Sequence, residues 1–141
     1  MLRVIDTETT SLEGSVLEIA SVDIVDGVIC NPMSDFVKPT EAISFEAMAI
    51  HHITEDMVAD APLIGEVIGR YLGAQAYVAH NAKFDFTALK RGCAAAGIDV
   101  PDVAYACTYE WARRVGLQVE NYRLTTLARE AGAADFDHHD A

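Results

Sequence analysis

Asp6 and Glu8 stand two residues apart in "VIDTETTSL". On a strand, side chains at i and i+2 leave the same face, which sets the two carboxylates about 7 Å apart along it. Two anions side by side repel unless positive charge sits between them. A divalent cation with oxygen ligands is the natural neutraliser. The pattern is short and common, and two exposed acids at a strand end account for it equally simply. "AHNAKFD" is more specific. His80 closes an apolar strand, Asn81 takes the place of a helix N-cap, and Asp85 falls in the first turn of the next helix. Asp85 then lies at the C-terminal edge of the sheet, where open α/β sheets place ligands. Complementing the helix dipole is its alternative role. The chain closes on "ADFDHHDA", which crowds two histidines and two aspartates into the last five residues. A solvated tail is the default reading of such an end.

These groups need elements to position them. "LRVID" alternates weakly and predicts a strand, and "SVLEIASVDIVDGVI" predicts a hairpin turning at Asp26 and Gly27. "DFVKP" predicts a further short strand stopped by Pro39, and "SFEAMAIHHIT" a compact helix capped by Ser44. "APLIGEVIGRYLG" predicts a helix with Pro62 in its first turn, Leu63, Val67 and Leu72 on one face, and Gly73 at its close. "AQAYVAHN" then predicts a short strand, and "AKFDFTALKRGCAAAG" a strong helix with Gly97 past its end. "VAYACTYEWARRVG" predicts a strand running into a helix, and "TTLAREAG" a last helix capped by Thr125 or Thr126. Strands first, then alternating helices and strands, imply an α/β protein with a mixed sheet. No internal repeat or linker-like stretch divides the chain.

The chain has 141 residues, one domain's worth, and 51% of them are apolar, enough for a core. No apolar run reaches membrane-spanning length, and the N-terminus lacks the pattern of a secretory signal. Cys30, Cys93 and Cys107 are odd in number and widely spaced, which suits a reduced, cytoplasmic protein with free thiols. The net charge is −12, with 22 acidic residues against 10 Lys and Arg. The basic surface usual for nucleic-acid binding is absent. A nucleic-acid partner would therefore need a local site in which bound metal supplies the positive charge. Otherwise the acidity serves solubility.

In combination, "DTET", "HNAKFD" and the terminal histidines resemble the DEDD exonuclease superfamily of the type with a catalytic histidine. That group includes polymerase proofreading subunits and ribonuclease T. The resemblance covers essentially the whole chain, and residues 1–68 look closest to the exonuclease X group. It implies a ribonuclease H-like fold, three antiparallel strands and then parallel ones, flanked by helices. It implies a metal-dependent 3′→5′ exonuclease that hydrolyses the terminal phosphodiester. DNA ends, single-stranded or mismatched, are favoured over RNA. Four carboxylates hold two divalent cations, Mg²⁺ or Mn²⁺, in this superfamily. Asp6, Glu8 and Asp85 match three of them, and His139 matches the general base, with His138 the other choice. Thr9, Leu12, Ile50, His51 and Phe84 match residues around the terminal nucleotide. Leu12, Ile50 and Phe84 read equally as core, and His51 and His52 as ordinary helix-end residues.

Two departures qualify the match. Many members carry Gly where this chain has Ser11, which predicts a differently built turn. The motif's aspartate follows its histidine by five residues and would lie beyond Ala141, and Asp140 comes too early to replace it. The expected reading is a single exonuclease domain over 1–141, truncated before its final helix and weakened in activity. The alternatives are a non-catalytic module that binds nucleic-acid ends or a protein partner, and a ribonuclease T-like exoribonuclease. Oligomeric state is not readable from the sequence.

Overall fold

The computed structural model describes residues 1–100 and 102–133. Five strands form one sheet: β1 (Leu2–Thr9), β2 (Val16–Val25), β3 (Val28–Phe36), β4 (Ala76–Ala79) and β5 (Ala104–Cys107), in the order β3-β2-β1-β4-β5. β1 runs antiparallel to β2 and β2 to β3, while β4 joins β1, and β5 joins β4, in parallel. This is the mixed sheet the sequence predicts. The β2–β3 hairpin turns at the expected residues, with Val25 opposite Val28 and φ of 50° at Asp26 and 80° at Gly27. Two successive positive φ values match the strands' twist, and Asp-Gly supplies them cheaply. "DFVKP" is not a separate strand. Asp35 and Phe36 finish β3, which pairs with β2 through Phe36 opposite Glu18.

Helices cover the sheet: α1 (Phe45–His51), α2 (Glu55–Val58), α3 (Ile64–Val67), α4 (Lys83–Ala95), α5 (Thr108–Arg114) and α6 (Leu124–Glu130). α4 is amphipathic at helical spacing and buries Asp85, Phe86, Ala88, Leu89, Gly92 and Cys93. Gly97, at φ 67°, closes its end, where the Ile98 N–H donates to the Cys93 carbonyl. The main core joins Ile5 and Ile19 of the sheet to Val67, Ile68 and Tyr71 and to Phe86 and Leu89 of α4. A smaller one gathers Leu17, Ile43, Ile53 and Val58, with Met48 of α1 packed against it.

Two predicted helices depart from expectation and one cap holds. α3 lasts four residues and gives way to a 3₁₀ turn over Ile68–Tyr71, and Leu63 is exposed rather than on the buried face. Gly65 and Gly69 weaken a longer helix there. α6 starts at Leu124 with Arg123 as its N-cap. The Thr126 hydroxyl instead donates to Asn121 Oδ1, at 2.8 Å. Ser44 caps α1 as predicted, accepting from the Ala47 N–H at 3.1 Å.

Candidate active site

β1 delivers Asp6 and Glu8 to one face of the sheet near its C-terminal end, with Thr7 on the opposite face. On β2, Glu18 lies directly opposite Glu8, but Thr9 pairs with Val16. Leu17 is thus an extra residue, a bulge where β1 ends, and bulges commonly re-aim strands beside functional sites. The chain then makes a tight loop in which the Thr10 N–H donates to the Ser15 carbonyl and the Gly14 N–H to the Ser11 carbonyl, both at 3.0 Å. Ser11 fits this loop without positive φ. The glycine requirement lies at Gly14, where a Cβ would come within 1.9 Å of Thr10 Oγ1.

Asp85 arrives from the other side of the sequence, in the first turn of α4. Asn81 is not its cap. Ala82 takes that position, while Asn81 turns the chain out of β4 at φ 59° and its carbonyl accepts from the Phe84 N–H at 2.9 Å. Asp85 is 2% exposed, and its Oδ1 accepts from the Thr7 N–H at 3.0 Å and from the Thr7 hydroxyl at 2.9 Å. These two bonds pin α4 to β1 across the site.

The three acids share a cleft of about 960 Å³. Burial, together with the charges of Asp6, Glu18 and Asp85, pushes the Glu8 carboxyl up to about 8. Burial and the charge of Asp6 push Asp85 up to about 7, against the lowering effect of the Thr7 bonds. Asp6 keeps a solvent-facing side chain, yet desolvation by its surroundings raises it as well. These acids resist ionising together because burial desolvates them and, among the described residues, no Lys or Arg stands between them. Among the described residues lining the cleft, Arg123 is the only Lys or Arg. Clustered hard oxygen donors in this condition suit a divalent cation. Among the described residues, no three such side chains are already arranged around a single ion position.

Leu12, Ile50 and Phe84 line the cleft with the acids. Leu12 is 80% and Ile50 52% exposed, so neither belongs to the core, and Phe84 is half-buried. Thr9 is buried, its hydroxyl donating to the Ser11 carbonyl at 2.7 Å. His51 ends α1 and is buried at the cleft wall. Its Nδ1 accepts from the Ile53 N–H at 3.0 Å and its Nε2 lies 3.3 Å from the Thr9 carbonyl. That pattern suits a neutral ring with its proton on Nε2. His52 takes the left-handed position that closes α1. His138 and His139 lie outside the described residues.

Several lining residues escape the sequence reading. Thr7 orients Asp85, a partnership of residues 78 positions apart. Tyr109, Tyr122 and Arg123 form the opposite wall. His80 Nδ1 lies 2.9 Å from the Thr108 hydroxyl, and its ring meets Tyr109 edge to face. Burial lowers the His80 pKa, and a backbone bond at Tyr122 opposes that. Only the loop before α6 brings Tyr122 and Arg123 here, and a loop carries no periodic signal.

The chain matches the family described as "Exonuclease" over residues 4–141. It is 50% identical over 126 residues to exodeoxyribonuclease 10 of Escherichia coli (strain K12), covering 88% of this chain and 53% of that protein. It is 32% identical over 144 residues to the PolC-type DNA polymerase III of Bacillus cereus (strain ATCC 14579), covering 98% of this chain but 10% of that one. The chain thus spans about half the length of the first relative and a small part of the second. Among solved structures it resembles exonuclease X in complex with 5′ overhanging duplex DNA, with TM-score 0.82 and 44% identity over all of this chain and 82% of that one. The nuclease domain of 3′hExo, a DEDDh family member bound to rAMP, shares the fold at TM-score 0.77 and 18% identity, over 98% of this chain and 82% of that one. The ribonuclease H-like sheet, the cleft at its edge and these matches agree, and the chain belongs to the exonuclease family.

Proposed function

We propose that the chain carries a metal-dependent 3′→5′ exonuclease site that removes nucleoside monophosphates from DNA ends. The observation that supports this most is the convergence of Asp6, Glu8 and Asp85 in one cleft with their carboxyl pKa values raised. These three acids would hold the divalent cations, Mg²⁺ or Mn²⁺. The bound ions supply charge neutralisation and an activated water for the phosphodiester. Asp85 presents its carboxylate in a fixed orientation because Thr7 grips one oxygen from two donors. His139 is the proposed general base, because histidine as a residue type is suited to taking a proton near neutrality.

The exposed side chains of Leu12 and Ile50, with Phe84, offer apolar surface to a terminal base. Apolar and stacking contacts accept any base, which suits trimming without sequence readout. Thr9 and His51 brace the end of β1 against α1 beneath that nucleotide. Arg123, the one Lys or Arg among the described residues lining the cleft, is placed to meet a phosphate. DNA is favoured because the relative named as an exodeoxyribonuclease and the solved exonuclease X complex both point to it. Net charge disfavours tracking along a duplex and favours short contact with an end, with a protein partner one route to recruitment. Among the described residues no helix is long and apolar enough to cross a membrane, and the three cysteines are free thiols. A cytoplasmic setting fits them.

The test is release of mononucleotides from 3′-labelled DNA and RNA oligonucleotides of one sequence, with Mn²⁺ and with EDTA. Metal-dependent release, faster from DNA, is the expected result. Faster release from RNA would make this an exoribonuclease. No release, together with no rise in melting temperature on adding Mn²⁺, would favour a non-catalytic module on the nuclease fold.

A further inference from the structure

Leu12 lies in the loop between β1 and β2 with 80% of its surface open, and its neighbours Ser11 and Glu13 are exposed as well. Side-chain packing therefore does little to fix this loop, and polar bonds must. Glu41, on the connection between β3 and α1, supplies them from outside. Its Oε1 accepts from the Thr10 hydroxyl and from the Ser15 N–H at 2.6 Å, and its Oε2 from the Thr40 hydroxyl at 2.7 Å. One carboxylate thus grips both ends of the loop. Gly14 leaves room for the Thr10 hydroxyl, since a Cβ there would come within 1.9 Å of it. The connection is itself anchored. The Val37 N–H donates to the Leu17 carbonyl at 2.7 Å, and the Ile43 N–H to Glu55 Oε1 at 2.8 Å. Ser44 caps α1 while its N–H donates to the Thr10 carbonyl at 2.8 Å. α1 in turn carries Ile50, another exposed apolar side chain lining the cleft of the acids.

We infer that Glu41 is a positioning residue for the exonuclease reaction, tying the Leu12 loop to the same base that presents Ile50 and so fixing the apolar mouth that receives the terminal nucleotide. The inference rests on the exonuclease reading above. Glu41 is exposed and does not line the cleft of the acids, so it acts through Thr10 and Ser15. A carboxylate with three donors makes charge-assisted bonds, the stronger kind. Burial works to raise its carboxyl, and the bonds from Thr10, Ser15 and Thr40 overcome this and lower it to about 2. Glu41 therefore stays ionised near neutrality and the grip persists. An exposed apolar side chain favours a ligand most when it is already in place, because ordering it on binding costs conformational entropy. Reaction geometry is equally sensitive to small misplacements made outside the chemistry.

The test is a double-mutant cycle on kcat/KM for mononucleotide release from a 3′-labelled single-stranded DNA oligonucleotide with Mn²⁺, joined to amide hydrogen exchange on the same proteins. Glu41→Ala should lower kcat/KM about tenfold. In a Leu12→Ala background the same change should cost less than about twofold, because Glu41 acts through the loop that carries Leu12. Thr10→Val, of similar shape but without the hydroxyl, should reproduce much of the loss, and Thr10→Ser should restore the rate. In Glu41→Ala the Ser15 amide should exchange at least about tenfold faster, while the Ile19 amide of β2 keeps its rate and shows that the fold is intact. Glu41→Gln, which keeps the shape and one acceptor, should fall between. A rate that Glu41→Ala leaves unchanged, an equal loss with and without Leu12, or a Ser15 amide that exchanges no faster would each overturn the inference while leaving the exonuclease reading standing. No release by the unmodified chain overturns that reading, and the inference falls with it.

Discussion

β1 carries a buried carboxylate partner near each end, and the two are treated oppositely. Near its start, Arg3 meets Asp23, which is 1% exposed, with Nε–Oδ1 at 2.7 Å and Nη2–Oδ2 at 3.0 Å. Asn31 donates a further bond to Asp23 at 3.2 Å, and the guanidinium holds the Asp23 carboxyl below its ordinary value. Near its finish, Asp85 is 2% exposed, receives two bonds from Thr7, and is nevertheless pushed up to about 7. Burial is alike at the two ends and compensation is not. A carboxylate that only has to hold the fold is given its cation by the chain. One left beside Asp6 and Glu8 stores repulsion that an outside cation relieves.

Breaking each end should therefore have opposite consequences. Asp85→Asn should slow mononucleotide release by at least about a thousandfold, some 4 kcal/mol of transition-state stabilisation. The melting temperature of the metal-free variant should hold or rise, and a fall would place Asp85 with the structural pairs. Arg3→Met should strand the Asp23 charge and cost about 3 kcal/mol of stability by urea unfolding. The variant should keep its metal dependence. Mn²⁺ at a hundred times its dissociation constant should stabilise the folded chain by about 2.7 kcal/mol. Asp6→Asn should shrink that gain, and Arg3→Met should not.

The pH dependence sharpens the same contrast. The folded values of Glu8 and Asp85 lie above their ordinary ones, at about 8 and about 7. Their contribution is therefore favourable in acid and is lost as pH rises through those values. Asp23 is lowered, so its contribution is present at neutral pH and lost as pH falls into the acid range. Melting of the metal-free chain should become easier from weakly acid to weakly alkaline pH, and Glu8→Gln should flatten that slope. Thr7→Val is the smallest test. It removes the hydroxyl bond to Asp85 and should lower the rate about tenfold, raising the metal concentration needed for half-maximal rate less than Asp85→Asn does.

Much of the fold was legible because it rests on local rules. Asp26-Gly27 predicts its hairpin, Ser44 its cap, and the apolar spacing of α4 its buried face. The misreadings share a cause. "DFVKP" reads as a separate strand because pairing partners do not show in a local window. Asn81 reads as a cap because its type suits one, although the chain needed it for a left-handed turn out of β4. Leu12 and Ile50 read as well for core as for cleft, since hydrophobicity alone does not say which surface is left open.

For the site, the spacing in "DTET" put Asp6 and Glu8 on one strand face, "HNAKFD" put Asp85 at a helix start, and the family resemblance those motifs carry nominated the three together as metal ligands. Alternation along one element is a property of the backbone, and sequence carries it whole. Which side chains meet across elements is another matter. Thr7 gripping Asp85, Glu18 standing opposite Glu8, the bulge at Leu17 and the Tyr122–Arg123 wall all depend on register and on how α4 seats against β1. Arg91 of α4 belongs with them. Its type was visible from the start, but only packing took its Nε and Nη2 out of water and left them without an acceptor among the described residues.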